Sequence, residues 1–335
     1  MGGSRAKSTN EIRLCLAGDT MLGRGVAEVI RHSGHPRLFS DDVVTFVRSA
    51  DLCILNLECC LSDRGERWPA PGKPFFFRAP PKATDVLLDL GVDCVTLANN
   101  HALDYGYDAL VDTMALLEDA GITYVGAGRN LDEATTPRIL QHGDFRVAVL
   151  GLTDHPRDYA ASHNGAGVAF ADLTQGVPAW VTDRITTCDA DVVLVTPHWG
   201  PNMTSHPTDY IQTAARDLME AGATLVAGHS AHVFHGLRSG VLFDLGDFID
   251  DYATDPRLRN DLGLLWLVTL QASGPQKVEA IPLKLDYCHT KLAEGDDLLW
   301  IRRRFRRACA AMGTEVEVLA DRLIARPRRT REDRV

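Results

Sequence analysis

The sequence predicts an α/β protein built around largely parallel strands. Seven short apolar runs recur along the chain without polar alternation, as is typical of strands that are covered on both faces. Helical patterns separate several of these runs, and three of the helical patterns end in glycine, a common residue just past a helix C-terminus. Together, the continuous apolar runs and the alternation with helices favour parallel pairing.

The predicted strands are 12–18, 51–58, 92–99, 145–152, 191–198, 223–229 and 240–247. The predicted helices with a terminal glycine are 80–91, 108–121 and 208–222. Two later apolar runs, 264–272 and 277–287, have no helix between them and predict an antiparallel pair. The long irregular segments 61–81 and 153–170 follow strands, and we expect both to overhang a site as lids.

Composition and charge narrow the classes of function. The chain has 335 residues, 45% of them apolar and 24% charged, which are ordinary values for a globular protein. A net charge of -10 argues against nucleic acid as the main partner. Basic residues concentrate in 301–308 and 322–333, where a basic helix could contact an acidic polymer or a membrane surface, although a solvated helix face is the simpler interpretation.

The sequence predicts a cytoplasmic protein without an integral membrane segment. It has no apolar signal-peptide core near residue 1 and no apolar run of about 18 residues. The eight cysteines lie mostly within strand-like runs and form no C-x-x-C pair, so we expect reduced thiols.

Polar residues cluster where the predicted strands end. They are Asp19; Asn56 and Glu58; Asn99, Asn100 and His101; His198; His229 and His232; and Asp247, which either supports a ligand histidine or turns the chain. The carboxyl ends of parallel strands form the usual ligand site of an open α/β sheet. Each residue alone has a simpler structural explanation, such as a helix N-cap for Asp19. Their joint occurrence favours a shell of carboxylate, amide and imidazole ligands for two divalent ions.

The ordered motifs GDTMLGR, NLE, ANNHALDYG, PHWG, GHSAH and LGDF resemble those of the CapA family over residues 12–285. This family comprises bacterial capsule and poly-γ-glutamate biosynthesis proteins with a calcineurin-like metallophosphatase fold. The resemblance implies a four-layer α/β/β/α sandwich of mixed sheets. It divides the chain into a flexible N-terminus (1–11), the CapA-like domain (12–285), a C-terminal helical extension (286–325) with its helix in 292–325, and a basic tail (326–335).

The resemblance also implies roles for individual residues. Asp19 and His232 would bind the first of two divalent metals (Mn, Fe or Zn), Glu58 would bridge both metals, and Asn100, His198 and His229 would bind the second. His101 would act as general acid, oriented by Asp104. Arg24, Lys73 and Arg78, with Asn56 and Asn99, are candidates for binding substrate anions, although the three basic residues are equally well explained as surface charges.

Four departures from the family pattern affect these expectations. Met21 stands where the wider superfamily has a metal-binding histidine, so the first metal is expected to bind weakly. Glu58 replaces the usual aspartate, and Pro201-Asn202-Met203 follows HWG where many relatives have an acidic residue. The chain lacks the membrane anchor with which capsule members often begin, which puts a role in polymer export in doubt.

The function that the resemblance implies is metal-dependent hydrolysis of a phosphorylated or peptide-like substrate of the poly-γ-glutamate type by a metal-activated hydroxide. One alternative is epimerisation of a peptide at an α-carbon in a natural-product pathway, with an acid–base pair such as Asp19 and a histidine. A second alternative is a non-catalytic component of a capsule synthase that binds polyglutamate, although the negative charge of the chain speaks against it.

Overall fold

The computed structural model describes residues 11–326. The predicted flexible N-terminus up to residue 10, and the basic tail from residue 327, lie outside the described residues. The helices are α1 Arg24–His32, α2 Asp41–Arg48, α3 Ala83–Leu90, α4 Gly106–Asp119, α5 Leu131–Thr135, α6 Ala179–Thr186, α7 Asp209–Glu220 and α8 Gly295–Ala311, with short 3₁₀ turns at Arg157–Tyr159 and Leu173–Gln175.

The strands are β1 Ile12–Thr20, β2 Leu52–Leu57, β3 Cys60–Leu61, β4 Arg78–Ala79, β5 Cys94–Thr96, β6 Thr123–Val125, β7 Ala127–Gly128, β8 Arg138–His142, β9 Phe145–Thr153, β10 Gly167–Val168, β11 Val192–His198, β12 Leu225–Ala227, β13 Leu237–Arg238, β14 Val241–Leu242, β15 Asp247–Ile249, β16 Leu262–Gln271, β17 Gly274–Asp286, β18 His289–Leu292, β19 Val316–Val318 and β20 Leu323–Ala325.

Two mixed sheets form the framework. The first has the order β19-β20-β17-β16-β1-β2-β5-β6, with β15 also pairing with β1 and β18 with β17. Within it, β1, β2, β5 and β6 are parallel, and β16 runs antiparallel to both β1 and β17. The second sheet has the order β13-β14-β12-β11-β9-β8, with a parallel centre and an antiparallel strand at each edge.

Three apolar cores separate four layers. Helices α1 to α4 pack on one face of the first sheet, and α6 and α7 pack on one face of the second sheet. The third core lies between the sheets, where Leu14 and Leu16 of β1 meet Val147 and Val149 of β9. The predicted α/β/β/α sandwich is therefore confirmed, and its two sheets direct the carboxyl ends of their parallel strands toward a common region.

The predicted strand 240–247 is wrong as a single element. β14 pairs with β12 in the second sheet, whereas β15 pairs with β1 in the first, so the chain crosses between the sheets at Leu245 and Gly246. Gly246 has φ +77°, and its carbonyl accepts a hydrogen bond from the backbone N–H of Asp19 at 3.0 Å. A Cβ on Gly18 would lie 1.8 Å from that carbonyl, so glycine is required for this crossing. The crossing brings Asp247 into register with Asp19.

The C-terminal extension is only partly helical. Helix α8 ends at Ala311, and the chain then turns through Gly313, where φ is +76°. The following strands β19 and β20 form a hairpin that pairs with β17 and widens the first sheet. The apolar face of α8, formed by Ile301, Phe305 and Cys309, is buried in the core between the sheets. Within residues 11–326, no helix has both the length and the apolar character needed to span a membrane.

Candidate metal centre

The amide of Asn56 joins the two carboxylates that the sequence predicts as ligands. Its Nδ2 atom donates to Oδ1 of Asp19 at 2.7 Å and also contacts Oε2 of Glu58. All three side chains are buried. β1 and β2 are parallel neighbours, with Asp19 and Asn56 in register, so this grouping follows directly from the sheet. Asn56 thus holds both carboxylates in place rather than facing a ligand.

Asp19 takes part in two groups of potential ligands. The first group is Asp19, His232 and Asp247, and the second is Asp19, His198 and His229; within each group the ligand atoms lie within 4.8 Å of one another. In the first group, Nδ1 of His232 is 2.9 Å from Oδ1 of Asp247 and 3.2 Å from Oδ2 of Asp19. Although burial opposes protonation of His232, the two carboxylates hold its pKa well above the usual range.

The second group is held by a pair of facing imidazoles. Nδ1 of His198 lies 2.7 Å from Nδ1 of His229, and Nε2 of His229 lies 3.0 Å from the hydroxyl of Thr196. Burial lowers the pKa of His229 to about 4 and places the pKa of His198 well below its usual range. Both rings are therefore neutral at pH 7, which is the form that coordinates metal.

Glu58 lies on the side of the site near His198 and His101. Its Oε1 atom is 3.7 Å from Nε2 of His198 and 4.0 Å from Nε2 of His101, and it has no hydrogen-bond partner in the part of the chain that the structure describes. Burial and the nearby charge of Asp19 raise the pKa of Glu58 well above its usual range. A buried carboxylate oxygen with no donor is costly unless a cation or proton compensates it.

The donor chemistry of this region fits divalent metal ions. Buried oxygens without a hydrogen-bond partner include Oδ2 of Asp19, Oε1 of Glu58, Oδ2 of Asp247 and Oδ1 of Asn100. Carboxylate and amide oxygens beside neutral imidazoles, without a thiolate, form a mixed N/O set that suits Mn, Fe or Zn.

Met21 does not belong to this set. Its side chain is fully buried in the core beneath α1 to α4, and its sulfur accepts a hydrogen bond from the backbone N–H of Gly23 at 3.0 Å. The crossing between the sheets brings in Asp247, which is the third member of the group with Asp19 and His232. A histidine at position 21 would have been expected to complete that group. A carboxylate from β15 thus offers a replacement for the imidazole that the sequence lacks.

His101 is positioned by a carboxylate on the segment that follows β5. Its Nδ1 atom lies 2.6 Å from Oδ2 of Asp104, and its ring stacks on Phe77 with centroids 4.0 Å apart. Asp104 also accepts a hydrogen bond from the hydroxyl of Tyr159 at 3.2 Å and forms an ion pair with Lys73 at 2.7 Å. This arrangement leaves Nε2 of His101 as the ring nitrogen on the side of Glu58.

The two asparagines of the same segment play different parts. Asn99 donates to Oδ1 of Asn56 at 2.9 Å and accepts from the backbone N–H of His101 at 3.0 Å, so it ties two strand ends together. The backbone carbonyl of Asn100 accepts a hydrogen bond from Nζ of Lys73 at 2.6 Å, whereas its side-chain Oδ1 is buried and has no partner within residues 11–326. Of the two, only Asn100 has a side-chain oxygen free to coordinate, and its role as a ligand stays a prediction.

The three basic residues predicted for substrate binding have different surroundings. Arg24 lies 3.3 Å from the carboxylate of Asp251, and its guanidinium lies 5.4 to 5.9 Å from three aromatic ring centroids. Lys73 is engaged by Asp104, and Arg78 donates to backbone carbonyls and covers the ring of Tyr105 at 4.1 Å. Lys73 and Arg78 therefore have structural partners that account for their charges.

The sequence argument missed residues from two segments. His155 follows β9, and its ring centroid lies 5.3 Å from that of His198. His155 lies just beyond the end of β9, so the clustering of polar residues at strand ends is a signal for it in the sequence. Tyr252 lies just beyond β15, 5.3 Å from the ring of His232, and no local signal in the sequence marks it.

Comparison with known proteins agrees with the CapA resemblance. The model of the bacterial capsule synthesis protein family PGA_cap matches residues 13–252. A probable polyglutamine synthesis accessory protein of Mycobacterium tuberculosis strain H37Rv is 30% identical over 374 residues, covering 95% of this chain and 97% of that protein. The capsule biosynthesis protein CapA of Bacillus anthracis is 26% identical over 298 residues, covering 83% of this chain and 69% of that protein.

Among solved structures, the chain is similar to a putative 5'-nucleotidase from Staphylococcus aureus, with 14% identity, a TM-score of 0.44 and coverage of 88% of this chain and 58% of that one. The family model covers well over half of the chain, and its residues include the strand ends that carry every predicted metal ligand. The prediction of family membership is thereby confirmed: the chain belongs to the bacterial capsule synthesis protein family PGA_cap.

Proposed function

We propose that this protein is a metal-dependent hydrolase that cleaves an amide bond in a glutamate-rich peptide chain. The observation that carries the proposal is the set of buried carboxylates, Asp19, Glu58 and Asp247, each of which has one oxygen without a hydrogen-bond partner within residues 11–326, close to the imidazoles of His198, His229 and His232. A purely structural site would pair these oxygens with donors. The same observation argues against the non-catalytic alternative, because a binding surface does not require buried, uncompensated carboxylates.

The residues of the chain support distinct steps of a hydrolysis. When bound, divalent ions would neutralise the carboxylates and activate water for attack on the scissile carbonyl. Asp19, His232 and Asp247 would hold one ion, and Asp19, His198 and His229 would hold a second, with Glu58 beside His198 as a further carboxylate. His101 would deliver a proton from Nε2 to the leaving nitrogen, because its Nδ1 is held by Asp104.

The choice of an amide substrate comes from the family. The relative in M. tuberculosis is named for polyglutamine synthesis and the relative in B. anthracis for capsule biosynthesis, so a peptide polymer is the substrate class that we infer for this chain. A phosphoester stays the second candidate, since two metals of this kind also serve phosphoryl transfer. The relatives named above give no support to the epimerase alternative, and we do not propose it.

The proposal is tested by metal loading and product analysis. Metal-free protein is supplied with Mn²⁺, Fe²⁺ or Zn²⁺ and incubated with γ-linked glutamate oligomers and a panel of phosphoesters, and new amines and free phosphate are measured. We expect amine release that requires metal and is lost in Glu58→Gln. Phosphate release alone would favour the second candidate, and metal-loaded protein that releases neither product would contradict the proposal.

A further inference from the structure

A basic cleft lies beside helix α8, outside the metal centre. Its volume is about 800 Å³, and it is bounded by α8 and by two loops that precede α7 and β16. The residues that give the cleft its character are His206, Arg257, Trp300, Arg303, Arg304 and Arg307. Four guanidinium groups therefore surround one cavity in a chain whose net charge is -10.

Few acidic groups within residues 11–326 compensate these cations: the charge of Asp255 acts on Arg257, and that of Asp244 acts on Arg304. Arg257, Arg303 and Arg307 form no ion pair with any carboxylate of residues 11–326. Within the described residues, Arg304 donates to the carbonyls of Leu258 and Phe234 alone, each at 3.4 Å, and its guanidinium lies 5.3 Å from the ring centroid of Trp300. Placing like charges together with few acidic partners is unfavourable, and a bound anion would relieve the repulsion.

The electrostatics of Arg304 agree with this geometry. Burial, together with the charge of Arg307, lowers the pKa of Arg304 to about 10. Nearby, burial and the charges of Arg304 and His206 lower the pKa of His235 to about 4. The charge of Arg304 in the cleft thus acts on the buried imidazole of His235.

The cleft lies close to the metal centre. Nδ2 of Asn202 is 3.3 Å from Nε2 of His232, and Ser205, three residues further on, lines the cleft. Three residues span at most about 11 Å. A second connection runs through Phe234, two residues beyond His232, whose carbonyl accepts the hydrogen bond from Arg304. An extended polymer is therefore long enough to occupy the cleft and the metal centre together.

The surroundings of the cleft favour a peptide polymer over a membrane or a nucleic acid as its anionic partner. An interfacial membrane helix needs an apolar face to insert, but Ile301, Phe305 and Cys309 of α8 are fully buried in the core. Nucleic acid requires an extended basic surface, whereas these charges line one cavity of a negatively charged protein. Separate guanidinium groups, each with planar donors, match a flexible chain that carries one carboxylate per unit.

We propose that this cleft binds a polycarboxylate peptide chain, a glutamate polymer in chemical terms, at a distance along the polymer from the bond that lies at the metal centre. The inference rests on the proposed function for the identity of the polymer. The cleft itself lies on α8 and adjoining loops, and most of its residues fall beyond the part of the chain matched by the family model. Binding in this cleft would make the affinity for substrate depend on the length of the polymer.

The test measures binding without turnover. Fluorescently labelled γ-linked polyglutamate of about 20 units is titrated with the full chain in the presence of a chelator, and anisotropy is recorded. Arg303→Gln/Arg307→Gln removes two cleft charges. The matched control, Arg216→Gln/Arg306→Gln, removes the same charge from exposed positions outside the cleft. Arg257→Gln tests the opposite wall from a different segment. Far-ultraviolet circular dichroism verifies folding of each variant.

We expect the double cleft variant to bind the polymer about tenfold more weakly, the control variant to bind as the parent does, and Arg257→Gln to fall between them. Equal binding by the cleft and control variants, or no binding by the parent, would overturn the proposal. So would stronger binding to vesicles of phosphatidylglycerol or to an oligonucleotide than to polyglutamate. Because a chelator is present, a protein that binds but never hydrolyses the polymer refutes the proposed hydrolysis and not the binding cleft.

Discussion

Nδ1 of His101 lies 2.6 Å from Oδ2 of Asp104, and both side chains are buried. Because Asp104 engages Nδ1, the other ring nitrogen, Nε2, is the one that lies toward Glu58. Nε2 is therefore free of the hydrogen bond to Asp104 and lies next to the predicted metal ligands. His101 can therefore serve as an acid while a neighbouring residue binds metal. This relationship separates a catalytic role from a coordinating role, and the two make different predictions.

Replacing His101 by asparagine should lower turnover by roughly 10²–10⁴-fold while both metals stay bound, because a proton donor is lost and no ligand is removed. Metal analysis and steady-state kinetics of the same preparation check this outcome. Asp104→Asn should give a smaller loss, since the imidazole remains but is oriented less firmly. Loss of metal together with activity would instead make His101 a ligand, and full turnover would remove its catalytic role.

Lys73 should tune the proton affinity of His101. Burial of the imidazole is the largest cause that lowers the pKa of His101, and the charge of Lys73 lowers it further, whereas Asp104 raises it. Lys73→Gln removes a positive charge and should raise the His101 pKa, so the ring stays protonated to higher pH. A proton NMR titration of metal-free protein measures this shift directly. A pKa that stays the same or falls would show that Lys73 acts only by holding the loop that carries Phe77.

The sequence predicted which polar side chains lie near one another best where a strand leads directly into the site. Asp19, Glu58, His198 and His229 lie at or just beyond the ends of parallel strands, so strand position alone brings them together. Asp247 was harder to place, since it reaches the site only after the chain crosses between sheets at Gly246.

Long side chains were also poorly predicted. The position of Arg78 in the sequence does not indicate whether its side chain faces substrate or solvent. Only the tertiary contacts show that its guanidinium covers the ring of Tyr105. Likewise, the predicted helix 292–325 wrongly includes the hairpin of β19 and β20. The helical pattern of 295–311 is strong, and the strands that follow have only three residues each. Short edge strands depend on the sheet that receives them rather than on local propensity.

The two groups of ligands should lose metal independently. His229→Ala removes an imidazole from the group that contains His198 and should deplete one ion, whereas Asp247→Ala removes a carboxylate from the group that contains His232 and should deplete the other. Elemental analysis after dialysis measures the metal remaining per chain, and we expect about one ion in each variant against two in the parent. Cys188→Ala, outside both groups, is the control. An unchanged metal content in Asp247→Ala would show that Asp247 supports His232 without coordinating.

Acid sensitivity should depend on His235, a buried residue near Arg304 and His206 of the basic cleft. Its Nε2 donates to the carbonyl of Thr204 at 2.8 Å, its Nδ1 has no partner, and burial lowers its pKa to about 4. An ordinary histidine in the unfolded chain has a pKa of about 6.5, so between pH 6.5 and 4 the unfolded state binds a proton that the folded state does not. The free energy of unfolding should therefore fall as the pH falls through this window, by about 3 kcal/mol in total for this residue.

His235→Gln keeps a donor for Thr204 but cannot titrate, so it should remove this part of the acid sensitivity. Urea unfolding of metal-free protein at a series of pH values from 8 to 4 gives the free energy of unfolding for parent and variant. Protonation of other buried histidines also lowers the free energy of unfolding in acid. The informative quantity is therefore the difference between the curves of parent and variant. That difference should change by about 3 kcal/mol in favour of the variant between pH 6.5 and 4 and stay constant above pH 7. Parallel curves would show that His235 is protonated as readily in the folded state as in the unfolded chain, which would require water to reach its Nδ1.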